Sequence, residues 1–263
     1  MKYAFKIAYF GDNFFGSQYQ PNLRTVEGEI RKAFQELGIN SKPRFASRTD
    51  AGVSALGQVI SFESEKDIRP RVLNSALPSD ITAWAYKEVP ENFNPRKAKS
   101  RIYTYVFPNE DFDLEKMEKA VTLLRGVHDF SNFTRGWKGG KREIFDAKLL
   151  IDGDFLVFEI EGNAFTWNMV RCLATALKLV GLGKTLEWFE KMLDPQNFRE
   201  RVPPSPPEGL MLKDVKYGFD FEIDEIGLKL LRMRIEKRLK RHGTIYKLLS
   251  LKLNALYSGK EQN

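Results

Sequence analysis

Apolar and polar residues alternate over residues 2–9, with Tyr3, Phe5, Ile7 and Tyr9 set against Lys2, Ala4, Lys6 and Ala8. A period of two sends successive side chains to opposite faces, so this segment reads as a strand with one wet face. Behind Thr25, a candidate N-cap, Val26, Ile30, Phe34 and Leu37 recur at helical spacing and stop near Gly38. Residues 43–47 and 57–63 read as two strands joined by a loop. Pro70 suits the first turn of a helix over residues 72–77, Pro78 and Ser79 end it, and residues 81–89 form another strand. The order is β-α-β-β-α-β, the split βαβ or ferredoxin-like pattern. Residues 92–99 read as a polar, basic linker.

The pattern then repeats. Residues 101–107 alternate as a strand, and Leu114, Met117, Val121 and Leu124 make a helix face. Residues 143–151 and 155–160 read as a hairpin turning at Asp152-Gly153-Asp154. A helix follows over residues 168–180, a second over 186–193, and a closing strand over 210–218. Two insertions stand out: residues 131–142, rich in Gly, Lys and aromatics, and the extended run Pro203-Pro204-Ser205-Pro206-Pro207. In the tail, residues 226–239 fit a strand or a helix, Arg241-His242-Gly243-Thr244 reads as a break, and residues 245–256 as a helix. The predicted class is α+β, with two domains: residues 1–98, and residues 99–263 carrying a basic tail. The two ferredoxin-like halves should form an antiparallel sheet with helices on one face, leaving the open face, or the seam between the halves, available for a ligand.

Composition narrows the partners. A net charge of +7 over 263 residues favours a polyanion such as nucleic acid. The single cysteine, Cys172, lies in an apolar helical pattern and excludes an intrachain disulfide. Two histidines and one cysteine offer no metal-ligand cluster, so no metal is expected. Met1-Lys2-Tyr3 opens directly into a strand pattern, no signal peptide is evident, and no apolar run is long enough to span a membrane. A cytoplasmic location is the expectation.

The densest candidate for chemistry is residues 45–58, between two predicted strands. Asp50 has Arg48 two residues before it and Gly52 two residues after it, with small or β-branched residues between. Asp and Gly both tolerate tight turns, and Gly52 allows close approach of a backbone or ligand. A carboxylate beside a guanidinium is favoured in its ionised form and can serve as a nucleophile. The loop over residues 11–21 carries aromatics and amides suited to touching a substrate. The tail is dense in Lys229, Arg232, Arg234, Lys237, Arg238, Lys240 and Arg241, a solvated face or an RNA-facing one.

The stretch Ser47-Arg48-Thr49-Asp50-Ala51-Gly52-Val53-Ser54-Ala55 resembles the signature of the TruA-type tRNA pseudouridine synthases. Further segments agree in order: Phe14 to Gln18, Arg101-Ile102-Tyr103-Thr104-Tyr105, Gly126 to Phe133, Phe165 to Arg171, and Pro207 to Leu212. Ser47 and Ser54 depart from the family's usual Gly and His, and nothing after Gly218 matches a motif. The resemblance implies isomerisation of uridine in tRNA, at positions 38–40 of the anticodon stem-loop, with no cofactor. It implies Asp50 as the catalytic carboxylate, Arg171 as a cation whose fork grips it, Tyr103 packed against the uracil, and Leu210 as an apolar wall. Arg48 would fill the gap left by the flipped base. His128 is expected to cap or pack. Lys97, Lys99, Lys138, Lys141 and Arg142 are candidate phosphate contacts. The resemblance implies a fold of two α+β halves with the active-site cleft between them, and the family is usually homodimeric. Two alternatives stay open: a non-catalytic RNA-binding protein on the same fold, and a family synthase with another RNA target.

Overall fold

The computed structural model describes residues 1–135 and 140–258. The first half runs β1 (Lys2–Tyr9), α1 (Val26–Glu36), β2 (Arg44–Phe45), β3 (Ser54–Glu63), α2 (Pro70–Ala76) and β4 (Ile81–Val89). The second runs β5 (Ser100–Pro108), α3 (Leu114–Leu123), β6 (Gly126–Asp129), β7 (Lys141–Asp152), β8 (Phe155–Gly162), α4 (Met169–Gly181), α5 (Leu186–Met192) and β9 (Leu210–Lys216). β10 (Glu222–Ile223) and α6 (Glu225–Ser258) follow. Among the described residues one ten-stranded sheet has the order β10-β4-β1-β3-β9-β5-β8-β7-β6, with β2 paired to β3 off that path.

Local chemistry explains the elements. Thr25 Oγ1 accepts from Gly28 N at 3.1 Å and starts α1, whose Val26, Ile30, Ala33 and Phe34 are buried. Asp113 and Thr185 cap α3 and α5 in the same way. Phe34 meets Phe62 of β3 at 4.7 Å, and Phe62 meets Phe5 of β1 at 5.0 Å, so α1 closes on the sheet through aromatic contacts.

Three expectations change. β1 has no wet face, because Ala4, Ala8 and even Lys2 are buried. Its second face is covered from far along the chain: Lys6 Nζ reaches Asp214 Oδ1 at 2.5 Å and lies over the rings of Trp84 and Phe221. The sheet is also not wholly antiparallel. β3 and β9 run parallel, through Ser54↔Met211 and Ala55↔Leu212. β2 is only two residues long and pairs with the far end of β3, at Ser61 and Ile60, so the near end stays open for β9.

The tail, whose sequence fits a strand or a helix, is a single helix with no break at residues 241–244. Gly243 costs a helix only about 1 kcal/mol, and no proline removes a backbone donor there. Residues after β9 return to the first half: β10 pairs with β4, and Gly227 lies too close to Ala83 O for any Cβ. Arg234 Nη1 donates to Ile81 O at 2.7 Å, while Arg238 binds Asp12 and Asp80 and covers the Phe10 ring. From Leu239 to Leu249 the helix is exposed, including Leu239, Ile245, Tyr246, Leu248 and Leu249. No helix among the described residues is long and apolar enough to cross a membrane.

Candidate active site

The loop before β3 is tied down from several sides. Gln58 donates through Nε2 to Ser47 O at 2.8 Å and accepts from Ser47 N at 3.2 Å. Thr49 is held by the Ser17 hydroxyl, which accepts from its N–H at 2.9 Å, and by Tyr9, whose hydroxyl is 2.7 Å from Thr49 Oγ1. Val53 N donates to Asp50 O at 3.2 Å, closing a tight turn in which Gly52 takes φ +82°. A Cβ on Gly52 would also lie 2.9 Å from Pro207 Cγ, so this position needs glycine for both conformation and space.

That turn points Asp50 at the segment leading into α4. Asp50 Oδ2 accepts from Asn168 Nδ2 at 2.5 Å and Arg171 Nη1 at 3.1 Å. Asp50 Oδ1 accepts from Trp167 Nε1 at 3.1 Å. The side chain of Arg171 is 13% exposed and that of Asp50 31%. The fork of Arg171 is divided rather than closed on the carboxylate, because its Nε donates to Ser205 O at 2.6 Å. The proline run therefore aims the cation: Ser205 N donates in turn to Arg171 O, and its hydroxyl meets Thr175 Oγ1 at 2.7 Å.

Asp50 sits in a cleft of about 910 Å³ at the β3–β9 seam, within the size range of small-molecule and nucleobase sites. Arg48, Tyr103 and Leu210 line it together with Asp50, while Arg171 stands behind the carboxylate. Tyr103 is buried, with its ring edge-on to Phe165 at 5.0 Å. Burial pushes its hydroxyl above the ordinary phenol range, although the Ser47 hydroxyl and the Arg101 charge pull the other way. Arg48 is exposed, with no hydrogen bond or ion pair to a described residue. Cys172, beside Arg171, is buried, and its thiol is pushed up to about 11, so it stays protonated near neutrality.

Sequence patterns assign no role to Trp167, Asn168 or Arg101. Arg101 is buried and donates to the carbonyls of Arg96 at 2.6 Å and Asn163 at 2.7 Å, joining the inter-half linker to the end of β8. Its signals in the sequence are a cation that opens an alternating strand beside Tyr103 and its place in the Arg101-Ile102-Tyr103-Thr104-Tyr105 segment. His128 Nε2 lies 2.8 Å from Arg125 O, and its ring packs on Phe130. Lys97, Lys99 and Lys141 are exposed but do not line the cleft, Arg142 is half-buried, and Lys138 lies outside the described residues. Among the described residues no group of His, Cys, Asp and Glu could hold a metal ion.

A cleft at the parallel β3–β9 seam, lined by aromatics and cations around one held carboxylate, suits an anionic substrate. Known proteins make the class specific. The family model described as tRNA pseudouridine synthase matches residues 120–218. The chain is 58% identical over 257 residues to tRNA pseudouridine synthase A of Archaeoglobus fulgidus, covering 95% of this chain and 97% of that protein. It is 43% identical over 262 residues to tRNA pseudouridine synthase A of Methanosarcina acetivorans (95% and 97% covered). It is 44% identical over 249 residues to the Pyrococcus abyssi protein of the same name (92% and 94% covered). The chain belongs to the tRNA pseudouridine synthase A family.

Proposed function

We propose that this chain isomerises uridine to pseudouridine in tRNA, at positions 38–40 of the anticodon stem-loop, with Asp50 as the catalytic carboxylate. The observation that carries the proposal is the three-donor grip on Asp50 by Trp167, Asn168 and Arg171 inside the seam cleft. In the reaction the N1–C1′ bond breaks, the uracil turns, and C5 bonds to C1′. C5 gives up its proton and N1 gains one, so product and substrate are isomers. Asp50 acts at the sugar, on C1′ or by taking a sugar proton.

The other residues follow from where they lie. Arg171 supplies the positive charge that faces the carboxylate, through Nη1 on Oδ2. Tyr103 and Leu210 flank the uracil, and the Tyr103 hydroxyl, whose ionisation burial opposes, serves as wall and proton relay rather than as a standing base. Arg48 fills the stack after the target uridine leaves it, a step that costs about a few kcal/mol. We read the chain as two split βαβ units dividing at residues 98–99. The strand orders β4-β1-β3-β2 and β9-β5-β8-β7 support that reading. By resemblance the working unit is a homodimer in the cytoplasm.

The test is incubation with unmodified tRNA followed by carbodiimide mapping of pseudouridine. Wild-type protein should modify positions 38–40. Asp50→Asn, which keeps shape but not charge, should give no product while binding tRNA within about a few-fold of wild type. Product from Asp50→Asn would remove Asp50 from the chemistry, and modification elsewhere would correct the target.

A further inference from the structure

The structure assigns Trp167 as a positioning residue for Asp50, an inference that rests on the reading of Asp50 as the catalytic carboxylate. Two oxygens must be fixed to fix the plane of a carboxylate. Oδ2 has two donors, Asn168 and Arg171, whereas Oδ1 has Trp167 Nε1 as its donor among the described residues. Without that N–H the carboxylate could swing about its Oδ2 contacts. With it, the lone pairs aimed at the sugar keep one direction.

The backbone around Trp167 is built for this contact. Trp167 and Asn168 are the central pair of a turn closed by Met169 N donating to Thr166 O at 3.1 Å. In that turn Asn168 takes the left-handed conformation at φ +63° and ψ +6°, and both side chains reach the same carboxylate. That region is uncommon outside glycine, and asparagine is among the residues that tolerate it. The Trp167 carbonyl accepts from Thr134 Oγ1 at 3.0 Å and Arg135 N at 3.2 Å, and the Arg135 guanidinium lies 4.5 Å from the ring centre. The indole itself is 56% exposed. A ring left in water at a cleft wall, anchored at its N–H edge and one face, is not held there by core packing.

The test separates the N–H from the ring. Trp167→Phe keeps an aromatic ring and loses the donor. Trp167→His keeps a ring N–H at the corresponding position, since its Nε2 superposes on the indole Nε1 when the two Cγ atoms coincide. Rates are measured in single turnover on tRNA transcript, binding by filter retention, and folding by thermal melting, with Asp50→Asn as reference. A hydrogen bond to a charged group predicts that Trp167→Phe lowers the single-turnover rate about 10- to 100-fold. Its tRNA affinity and melting temperature should stay close to wild type, and Trp167→His should recover most of the rate. A wild-type rate in Trp167→Phe overturns the inference. So does weakened binding at an unchanged rate, which would make Trp167 a stacking surface for a base. Failure of Trp167→His to recover any rate with its fold intact also overturns it. If Asp50→Asn is active, the reading of Asp50 itself falls. If Asp50→Asn is inactive and Trp167→Phe is normal, only the role of Trp167 falls.

Discussion

Replacing Arg171 by alanine removes the cation beside Asp50 and should separate its structural from its chemical contribution. A hydrogen bond to a charged group contributes about 1.5–3 kcal/mol. Two features pull the stability loss toward the low end. Asp50 is 31% exposed, so water can take the vacated lone pair, and the Trp167 and Asn168 donors remain. One feature pulls the other way: the guanidinium is 13% exposed, and its loss strips the Ser205 carbonyl of the Nε donor at 2.6 Å. The balance is a loss of about 2 kcal/mol, or a fall of roughly 4–8 °C in melting temperature for a chain of this size. The kinetic loss should be larger, about 10²–10³ in rate, as for removal of one preorganised electrostatic partner. The assay uses tRNA carrying uridine tritiated at C5, because forming the C5–C1′ bond releases that hydrogen to water. Arg171→Lys should fall between the two, since an ammonium cannot hold Asp50 and the Ser205 carbonyl with separate arms of a fork. A folded Arg171→Ala protein that releases tritium at the wild-type rate would refute the idea that this cation prepares Asp50 for chemistry.

Gly52→Ala should cost about 1–3 kcal/mol, from a left-handed backbone and a Cβ 2.9 Å from Pro207 Cγ, and should depress turnover by moving the Asp50 turn. Urea denaturation showing unchanged stability would contradict this. Neutralising Lys240, Arg241, Lys247 and Lys252 to glutamine should weaken tRNA binding, with little effect on turnover at saturation. The log–log salt slope should fall by about 0.7–0.9 for each phosphate that the protein no longer neutralises. The same series on Lys138, Lys141 and Arg142 asks whether that segment also touches RNA, and unchanged affinity and slope would exclude either surface. Burial opposes ionisation of Asp80, but the hydrogen bond and charge of Arg24 and then the charge of Arg238 outweigh it and hold its carboxyl below the usual range. Its contribution is therefore present above the ordinary carboxylate pKa of about 3.9 and is lost as pH falls through the depressed value. Protection factors over the first half of α6, taken against the intrinsic rate at each pH, should fall in that acid window, and in Asp80→Asn at neutral pH; equal protection in both proteins would deny the link.

Much of this architecture is local information. The period of two in residues 2–9, the helical period behind Thr25 and the Asp152-Gly153-Asp154 turn each predict an element that the fold contains. What stays hidden depends on partners distant in the chain. Alternation marks β1 as a strand, yet Trp84 and Phe221 decide that its second face is covered. The parallel seam follows from the shortness of β2, which no residue in residues 43–47 announces. At the site, Asp50 stands out because charge and glycine flank it within a few positions. Trp167 and Asn168 sit in a recognisable segment, but their aim depends on one left-handed residue. Arg171 carries an obvious charge, while the division of its fork depends on where the proline run puts the Ser205 carbonyl. Gly243 among polar residues mimics a helix end, and only the absence of any competing cap or turn lets α6 continue through it.

β9 has a mechanical property that neither half has alone. At its start it is laced to β3 by the pairs at Met211 and Leu212, beside the cleft. At its end the two chain crossings between the halves run together: Lys99 N donates to Lys216 O at 2.8 Å, and Tyr217 Oη donates to Pro95 O at 2.6 Å. A seven-residue strand spans roughly 20 Å, so the halves are pinned at two points about that far apart. Two pins resist sliding and splaying, and the Lys6–Asp214 ion pair, reaching β9 from β1 between them, resists rocking about the strand's own axis. A rock of about 5° moves a group 10 Å from that axis by roughly 1 Å, the scale at which misplacement already costs catalysis dearly. The carboxylate and its donors come from opposite sides of this pin, so side chains packed along β9 act as the stops that set their alignment, at a distance from any reacting atom.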